Sequence, residues 1–97
     1  MGKNVTTVEK GAFNNCGKLT TIVTNEKLQI IEADAFTKCP KLRIFNIKSK
    51  KLKKIDKKAF SGVKFKKIKV SVKKKYYSKV SMMLINAGFK KSNIKKV

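Results

Sequence analysis

The chain has no histidine and no tryptophan, and only one proline, one arginine and five acidic residues among its 97 positions. Without histidine, the commonest general base and the commonest metal ligand are both missing. Two cysteines are too few for a four-thiolate zinc site, and no glycine-rich phosphate-binding loop of standard spacing occurs. A serine–lysine pair carries no information in a chain with 25 lysines. These shortages argue against an enzyme, and we expect no cofactor and no metal.

Long apolar segments are missing as well. No apolar run reaches the roughly 20 residues that a membrane-spanning helix needs, and no signal peptide is recognisable at the N-terminus. Apolar residues still make up 41% of the chain. That content can fill the core of a domain of this size, which buries roughly 65% of its unfolded surface. We therefore expect one folded domain without membrane insertion, with residues 1–4 as a tag or linker.

A repeat of about 23 residues organises positions 5–70. The first copy places apolar side chains at Val5, Val8, Ala12, Phe13, Cys16, Leu19 and Ile22. The second has the same chemical types 23 positions later, at Leu28, Ile31, Ala35, Phe36, Cys39, Leu42 and Phe45. The third runs through Leu52, Ile55, Ala59, Phe60, Val63, Phe65, Ile68 and Val70. A period of this length with Leu-x-x-Ile spacing is typical of leucine-rich repeats, in which each copy forms one coil of a solenoid.

Alternation within the copies predicts which side chains face the core. We expect three inward columns: Leu19/Leu42/Phe65, Ile22/Phe45/Ile68 and, on the opposite wall, Phe13/Phe36/Phe60. The same alignment predicts two outward columns, Thr21/Ile44/Lys67 and Val23/Asn46/Lys69. No copy can bury its apolar face alone, so the copies are expected to be stable only as a stack.

The repeat resembles the BspA-like leucine-rich repeats, also called the Treponema pallidum type. The resemblance is carried by residues 8–19, VEKGAFNNCGKL, and residues 31–42, IEADAFTKCPKL, whereas the third copy has Val63 in place of the cysteine. It implies an α/β fold: a short leucine-rich-repeat solenoid of three coils, each with a strand and a short helical turn. It also implies a bacterial cell-surface or secreted protein whose repeats bind host or microbial ligands, without identifying the ligand.

After Val70 the apolar pattern changes to a helical period. The apolar stripe between positions 72 and 88 consists of Tyr76, Val80, Met83, Leu84 and Ala87. Gly88 stands where a left-handed residue would end the helix, Phe89 can fold back behind it, and residues 93–97 can add a closing strand. We expect residues 5–72 to form the repeats and residues 73–97 to cap them, a membrane-surface helix being the alternative. Since no matching cap precedes Val5, we expect self-association through the first coil.

Two further sets of residues recur at equivalent repeat positions. Cys16 and Cys39 are expected to be neighbours, as buried thiols or, because the spacing permits it, as a disulfide. Glu9, Glu32 and Asp56 share another position. They are expected to cap the short turn before Ala-Phe, and the surrounding lysines disfavour the alternative of a calcium site.

Positive charge is the main functional clue. The net charge is +21, and residues 57–97 hold 14 lysines and no acid, whereas residues 1–56 hold 12 basic and five acidic residues. The expected contact surface consists of Lys53, Lys54, Lys66, Lys67, Lys69, Lys73, Lys74 and Lys75. The last three stand at the expected helix start, where they oppose the helix dipole but suit a phosphate or sulfate. A solvated basic face that keeps the protein soluble is the alternative.

These observations predict a non-enzymatic binding or adhesion module. Its partner would be a host or microbial surface protein or an anionic polymer, such as a sulfated host glycan or wall teichoic acid. Nucleic acid is the second hypothesis and is less favoured, because its recognition favours arginine and exposed aromatic rings. The phenylalanines are assigned to the core, which leaves only Tyr77 free for stacking. A structural spacer of a larger surface protein is the third hypothesis.

Overall fold

The computed structural model describes the whole chain, residues 1–97. Its strands are β1 (Thr7–Val8), β2 (Thr21–Val23), β3 (Ile30–Ile31), β4 (Ile44–Ile47), β5 (Lys54–Ile55), β6 (Lys69–Val72) and β7 (Ile94–Lys96). A single α-helix, α1 (Tyr77–Asn86), lies between β6 and β7. Short 3-10 turns occupy Phe65–Lys67, Lys74–Tyr76 and Lys91–Asn93. No helix is long and apolar enough to cross a lipid bilayer.

All strand pairs are parallel and form two sheets, one with the order β1-β3-β5 and the other with the order β2-β4-β6-β7. Each repeat contributes one strand to each sheet. Between the first and second repeats, Thr7 pairs with Ile30 and Thr21 with Ile44, which is a shift of 23 residues in both sheets. Residues that recur along this part of the sequence are therefore neighbours in space.

Phenylalanine rings form the centre of the core. The ring of Phe36 stacks on Phe13 and on Phe60, with centroid distances of 5.1 and 5.2 Å and nearly parallel planes. This confirms the column predicted from the repeat. Phe45 and Phe89 pack against Phe60 from the side, at 5.2 and 5.0 Å. Fully burying one such side chain contributes about 1.5–3 kcal/mol.

The third repeat departs from the predicted alignment. The inward column is Ile22/Phe45/Val70, with Val70 at the place that the sequence pattern assigns to Ile68. The cause is the 3-10 turn Phe65–Lys67, which takes up residues before β6 begins. Periodicity does not detect this turn, because Ile68 is also apolar and fully buried.

The outward columns change for the same reason. They are Thr21/Ile44/Lys69 and Val23/Asn46/Ser71, and β7 adds Lys95 beside Ser71. The prediction that Lys67 and Lys69 extend these columns is therefore wrong in both places. Lys67 lies in the 3-10 turn, and Lys69 stands where Lys67 was expected. This leaves one lysine of β6 on the outer surface of the sheet, where two were predicted.

The C-terminal region follows the predicted pattern with shifted bounds. α1 starts at Tyr77 because β6 extends to Val72 and a 3-10 turn comes between them. Gly88 has a φ of +115°, and the N–H of Phe89 donates to the carbonyl of Leu84 at 3.0 Å, as expected for a helix end that folds back. The predicted closing strand is β7, which pairs with β6.

The first four residues, expected as a tag or linker, are tied to the fold. The N–H of Val5 donates to the carbonyl of Gly2 at 3.2 Å. The side-chain amide of Asn25 donates to the carbonyls of Gly2 and Val5. Gly2 therefore packs beside the turn that leads into β3.

Candidate functional site

The positive charge of the surface is almost entirely unpaired. The single ion pair joins Lys50 Nζ to Glu26 Oε2 at 2.7 Å, between two exposed side chains. The hydrogen bond and charge of Lys50 lower the pKa of Glu26, and the same contact raises the pKa of Lys50. The Arg43 guanidinium is used locally, since it donates to the carbonyls of Pro40 and Leu42 at 3.0 and 2.8 Å. The other lysine ammonium groups have no carboxylate partner within 4.0 Å and are free to meet an anion.

The eight lysines predicted as a contact surface are all exposed but do not share one element. Lys53 and Lys54 lie at β5, in the sheet of three strands. Lys66 and Lys67 belong to the 3-10 turn before β6, and Lys69 to β6 in the other sheet. The remaining three, Lys73, Lys74 and Lys75, follow β6. The set is therefore spread over two sheets and two turns.

Some of the backbone amides around the three lysines before α1 are already bonded within the protein. The N–H of Lys74 donates to the carbonyl of Val97 at 3.1 Å, and the N–H of Tyr76 donates to that of Lys73 at 2.9 Å. The N–H of Tyr77 donates to the carbonyl of Lys74. An anion bound here would contact ammonium groups more than backbone amides.

The aromatic side chains are also distributed differently from the prediction. Tyr77 is half-buried, and Lys96 Nζ stands 4.8 Å from the centroid of its ring, so it is not free for stacking. Phe13 is 37% exposed and Phe65 is half-buried, although both were assigned to the core. Phe65, expected to continue the column of Leu19 and Leu42, packs edge-on against Phe89 with a centroid distance of 4.9 Å.

Phe65 lies in an open depression of about 420 Å³ between the 3-10 turn before β6 and the end of α1. The lining residues are Lys64, Phe65, Lys66, Lys67, Gly88 and Lys90. Four of them are lysines and none is acidic. The repeat pattern indicates Lys66 and Lys67 as contact residues but does not indicate the depression, because it assigns Phe65 to the core. The one signal in the sequence is that lysines immediately flank this phenylalanine on both sides.

A second groove, of about 430 Å³, crosses the three-stranded sheet and carries charges of both signs. Within it, the backbone N–H of Lys10 donates to Glu32 Oε1 at 3.0 Å. The N–H of Lys58 donates to Asp56 Oδ1 at 2.9 Å, which confirms the predicted capping role for Asp56. Glu32 caps the turn of the preceding repeat instead of its own. No three acidic or cysteine side chains come together in a way that could hold a metal ion.

The two cysteines are free thiols. Cys39 is buried, and its Sγ donates to the carbonyl of Phe13 at 3.3 Å, one repeat away. Burial raises the pKa of the Cys39 thiol, which makes it a poor nucleophile at neutral pH. Cys39 thus behaves as the small apolar packing group that the sequence predicted.

Several exposed apolar side chains lie in or next to the first repeat, and others lie in the C-terminal region. On the outer surface of the four-stranded sheet, Val23 is 38% and Ile44 is 48% exposed. β1 and β2 are the edge strands on this side of their sheets. A small cleft of about 190 Å³ beside β2 is lined by Phe13, Leu19 and Val23, among others. The edge strands at this end of the molecule are therefore uncovered and lie beside exposed apolar side chains.

Comparison with known proteins gives one match. The family described as BspA type leucine rich repeat region (6 copies) matches residues 1–97. Searches of curated proteins and of solved structures returned no match.

Proposed function

Because this chain belongs to the BspA-type leucine-rich repeat family, we propose that it is a non-enzymatic binding or adhesion module of a bacterial surface or secreted protein. Leucine-rich repeats of this kind generally serve protein interaction and are generally without catalytic activity. The family is generally surface-associated in bacteria. The chain's lack of histidine is consistent with such a role, because binding requires no general base.

The architecture in this proposal is a solenoid of three coils over residues 5–72, closed by a cap over residues 73–97. Support comes from the parallel pairing of successive repeats and from the column Phe13/Phe36/Phe60. α1 packs against β5 and β6, and β7 pairs with β6. These contacts cover the last repeat, as a solenoid cap does.

Unpaired charge is the observation that supports a basic contact surface. The chain carries a net charge of +21 with one ion pair, and such self-repulsion opposes folding. Contact with a polyanion removes this cost and gains Coulomb attraction. The partner that fits is an anionic polymer, such as a sulfated glycan or a wall polymer, or an acidic region of a host or microbial surface protein. The proposed contact residues are the eight exposed lysines named above.

A protein partner has a second possible contact surface on the outer face of the four-stranded sheet. Val23 and Ile44 are exposed there on adjacent strands, and Lys69 lies beside Ile44 in the same outward column. An apolar patch with a basic border suits a protein that presents apolar and acidic side chains together.

The test of the basic surface is binding to immobilised heparin, lipoteichoic acid and duplex DNA at increasing salt concentration. One variant changes Lys69, Lys73, Lys74 and Lys75 to Gln, and a matched control changes the exposed Lys18, Lys41, Lys57 and Lys79 to Gln. We expect salt-sensitive binding to heparin or lipoteichoic acid that the first variant weakens more than the control does.

Three results would contradict this proposal. An equal loss of affinity in both variants would mean that binding depends on the total charge of the protein and not on a specific site. Preference for DNA would favour the nucleic-acid alternative. Binding of a partner with little salt dependence would indicate that the contact surface is the one that contains Val23 and Ile44.

A further inference from the structure

The depression around Phe65 combines a fixed aromatic ring with four lysines. The lysines are Lys64, Lys66, Lys67 and Lys90, and all are exposed. Two segments of the chain bring them together, since three come from the turn before β6 and Lys90 follows the end of α1. Neither the groove across the three-stranded sheet nor the cleft beside β2 combines a ring with several lysines and no acid.

Phe65 is held in place by two contacts. Its ring meets Phe89 at 90° with a centroid distance of 4.9 Å. Its far end lies against the backbone of Gly88, so close that a Cβ on Gly88 would stand 2.5 Å from Phe65 Cζ. The ring is therefore fixed before any ligand arrives, which reduces the entropy cost of binding.

The four lysines have little structural reason to stand together. None forms an ion pair, and like charges around one depression repel each other. Lys90 has a partial explanation, because a cation near the C-terminal end of α1 complements the helix dipole. Lys64, Lys66 and Lys67 have none. Their aliphatic stems border the apolar floor while the ammonium groups remain in water.

We propose that this depression binds an anionic sugar unit of a polysaccharide, with the sugar ring against Phe65 and its charged groups among the lysines. This inference rests on the proposed function and assigns it a site and a ligand class. A pyranose ring offers C–H groups that pack on an aromatic side chain, and sulfate or phosphate groups attract ammonium ions. Lysine is a flexible point charge, which suits anionic groups whose positions vary along a polysaccharide.

Single-stranded nucleic acid fits the same depression less well. Stacking of successive bases needs several aromatic platforms along a groove, and arginine adds both planar stacking and paired hydrogen bonds. The depression offers one ring and no arginine.

The test uses three probes with the full chain: dextran sulfate, neutral dextran, and polyphosphate, which is anionic but has no sugar ring. One variant changes all four lysines of the depression to Gln. The control variant changes Lys18, Lys41, Lys57 and Lys79 to Gln and so removes the same charge. A third variant, Phe65→Leu, removes the ring and keeps every lysine.

We expect dextran sulfate to bind and neutral dextran not to bind. In the depression variant, affinity for dextran sulfate falls about tenfold or more, and the slope of log affinity against log salt becomes roughly three units shallower. The control variant stays within about threefold of the unmodified chain, because its lysines lie outside the contact. Phe65→Leu lowers the affinity for dextran sulfate about 3- to 10-fold and leaves the affinity for polyphosphate unchanged.

The outcomes separate this inference from the broader proposal. If the unmodified chain binds dextran sulfate and both four-lysine variants lose affinity equally, the depression is not the site, although the basic module remains. If Phe65→Leu lowers the affinity for dextran sulfate and for polyphosphate equally, the ligand does not place a sugar ring against Phe65. If the chain binds no polyanion at all, this inference and the proposed basic contact surface both fail. Thermal unfolding of each variant checks the fold, and the lysine variants, which alter only exposed side chains, test the site even if Phe65→Leu unfolds.

Discussion

At the scale of single residues, one unusual backbone conformation recurs where the side chains differ. Asn15, Lys38 and Gly62 occupy the second position after the phenylalanine of successive repeats and have φ values of 62°, 54° and 82°. Bonds between repeats hold two of them, since the N–H of Asn15 donates to Thr37 and the N–H of Lys38 to Ser61. The stack therefore imposes this conformation even on a lysine, for which it costs about 1–2 kcal/mol.

Replacing Lys38 with asparagine should stabilise the protein. Asparagine adopts positive φ more readily than lysine, so we expect Lys38→Asn to raise the free energy of unfolding by about 0.5 kcal/mol in urea denaturation. Lys41→Asn removes the same charge at an exposed position without positive φ and should give no such gain. Equal effects of the two substitutions would mean that charge, not backbone conformation, is responsible.

The titration of the Cys39 thiol makes the free energy of unfolding depend on pH in the alkaline range. Burial raises the pKa of its thiol above the ordinary value of 9.0, so the unfolded chain loses this proton first as the pH rises. The folded state then holds more protons than the unfolded state, and the stabilisation present below pH 9.0 is lost at higher pH.

Substitution of Cys39 by valine, the residue at the equivalent position 63, removes this dependence. We expect the stability of Cys39→Val relative to the unmodified chain to improve between pH 7 and pH 10, measured by urea unfolding under reducing conditions. A stability difference that stays constant over this range would show that the thiol does not titrate with folding.

At the scale of elements, the end of α1 and the turn before β6 depend on each other. Gly88 ends the helix with a positive φ, and the missing Cβ leaves the space that the Phe65 ring occupies. Phe65 in turn packs against Phe89, which follows the glycine. One residue thus sets both the helix stop and the position of the ring that lines the depression.

Gly88→Ala should therefore be strongly destabilising. The added Cβ would lie 2.5 Å from Phe65 Cζ and would also be strained by the φ of +115°, so we expect a loss of about 2–4 kcal/mol. Gly17 is the matched control, because no atom lies within 4 Å of its added Cβ and its φ is not in the positive range. Gly17→Ala should be nearly neutral, and comparable losses in chemical denaturation would refute this explanation.

At the scale of the whole molecule, charge repulsion works against the folded state. With a net charge of +21 and one ion pair, raising the salt concentration screens far more repulsion than attraction. We expect the free energy of unfolding to rise by at least about 1 kcal/mol between 10 mM and 0.5 M NaCl. The variant with Lys18, Lys41, Lys57 and Lys79 changed to Gln should respond less. A fall in stability with salt would contradict this expectation.

The uncovered end of the first repeat predicts self-association. Phe13 is 37% exposed there, and β1 and β2 are unpaired edges that another chain can meet. We expect the mass from light scattering to increase with protein concentration at high salt, and Phe13→Lys to reduce this increase. Met82→Lys alters an apolar side chain that is 68% exposed on α1 and serves as the control. A constant monomeric mass at all concentrations would exclude this contact.

The sequence by itself determined the repeat, the phenylalanine column and the C-terminal helix with its glycine stop. In a parallel stack the period along the chain is also the spacing between neighbours, so Phe13 and Phe36 could be placed together without coordinates. The capping role of Asp56 is equally local, because the side chain bonds to an amide two residues away.

Tertiary structure alone decided the register of β6 and the surroundings of Phe65. Both Ile68 and Val70 are apolar, so either could continue the column below Phe45, and the 3-10 turn Phe65–Lys67 selects Val70. The depression depends on Gly88, more than 20 residues further along the chain. Contacts between residues so far apart and outside the repeat leave no period in the sequence, which is why the lysines could be counted but not assigned to a common surface.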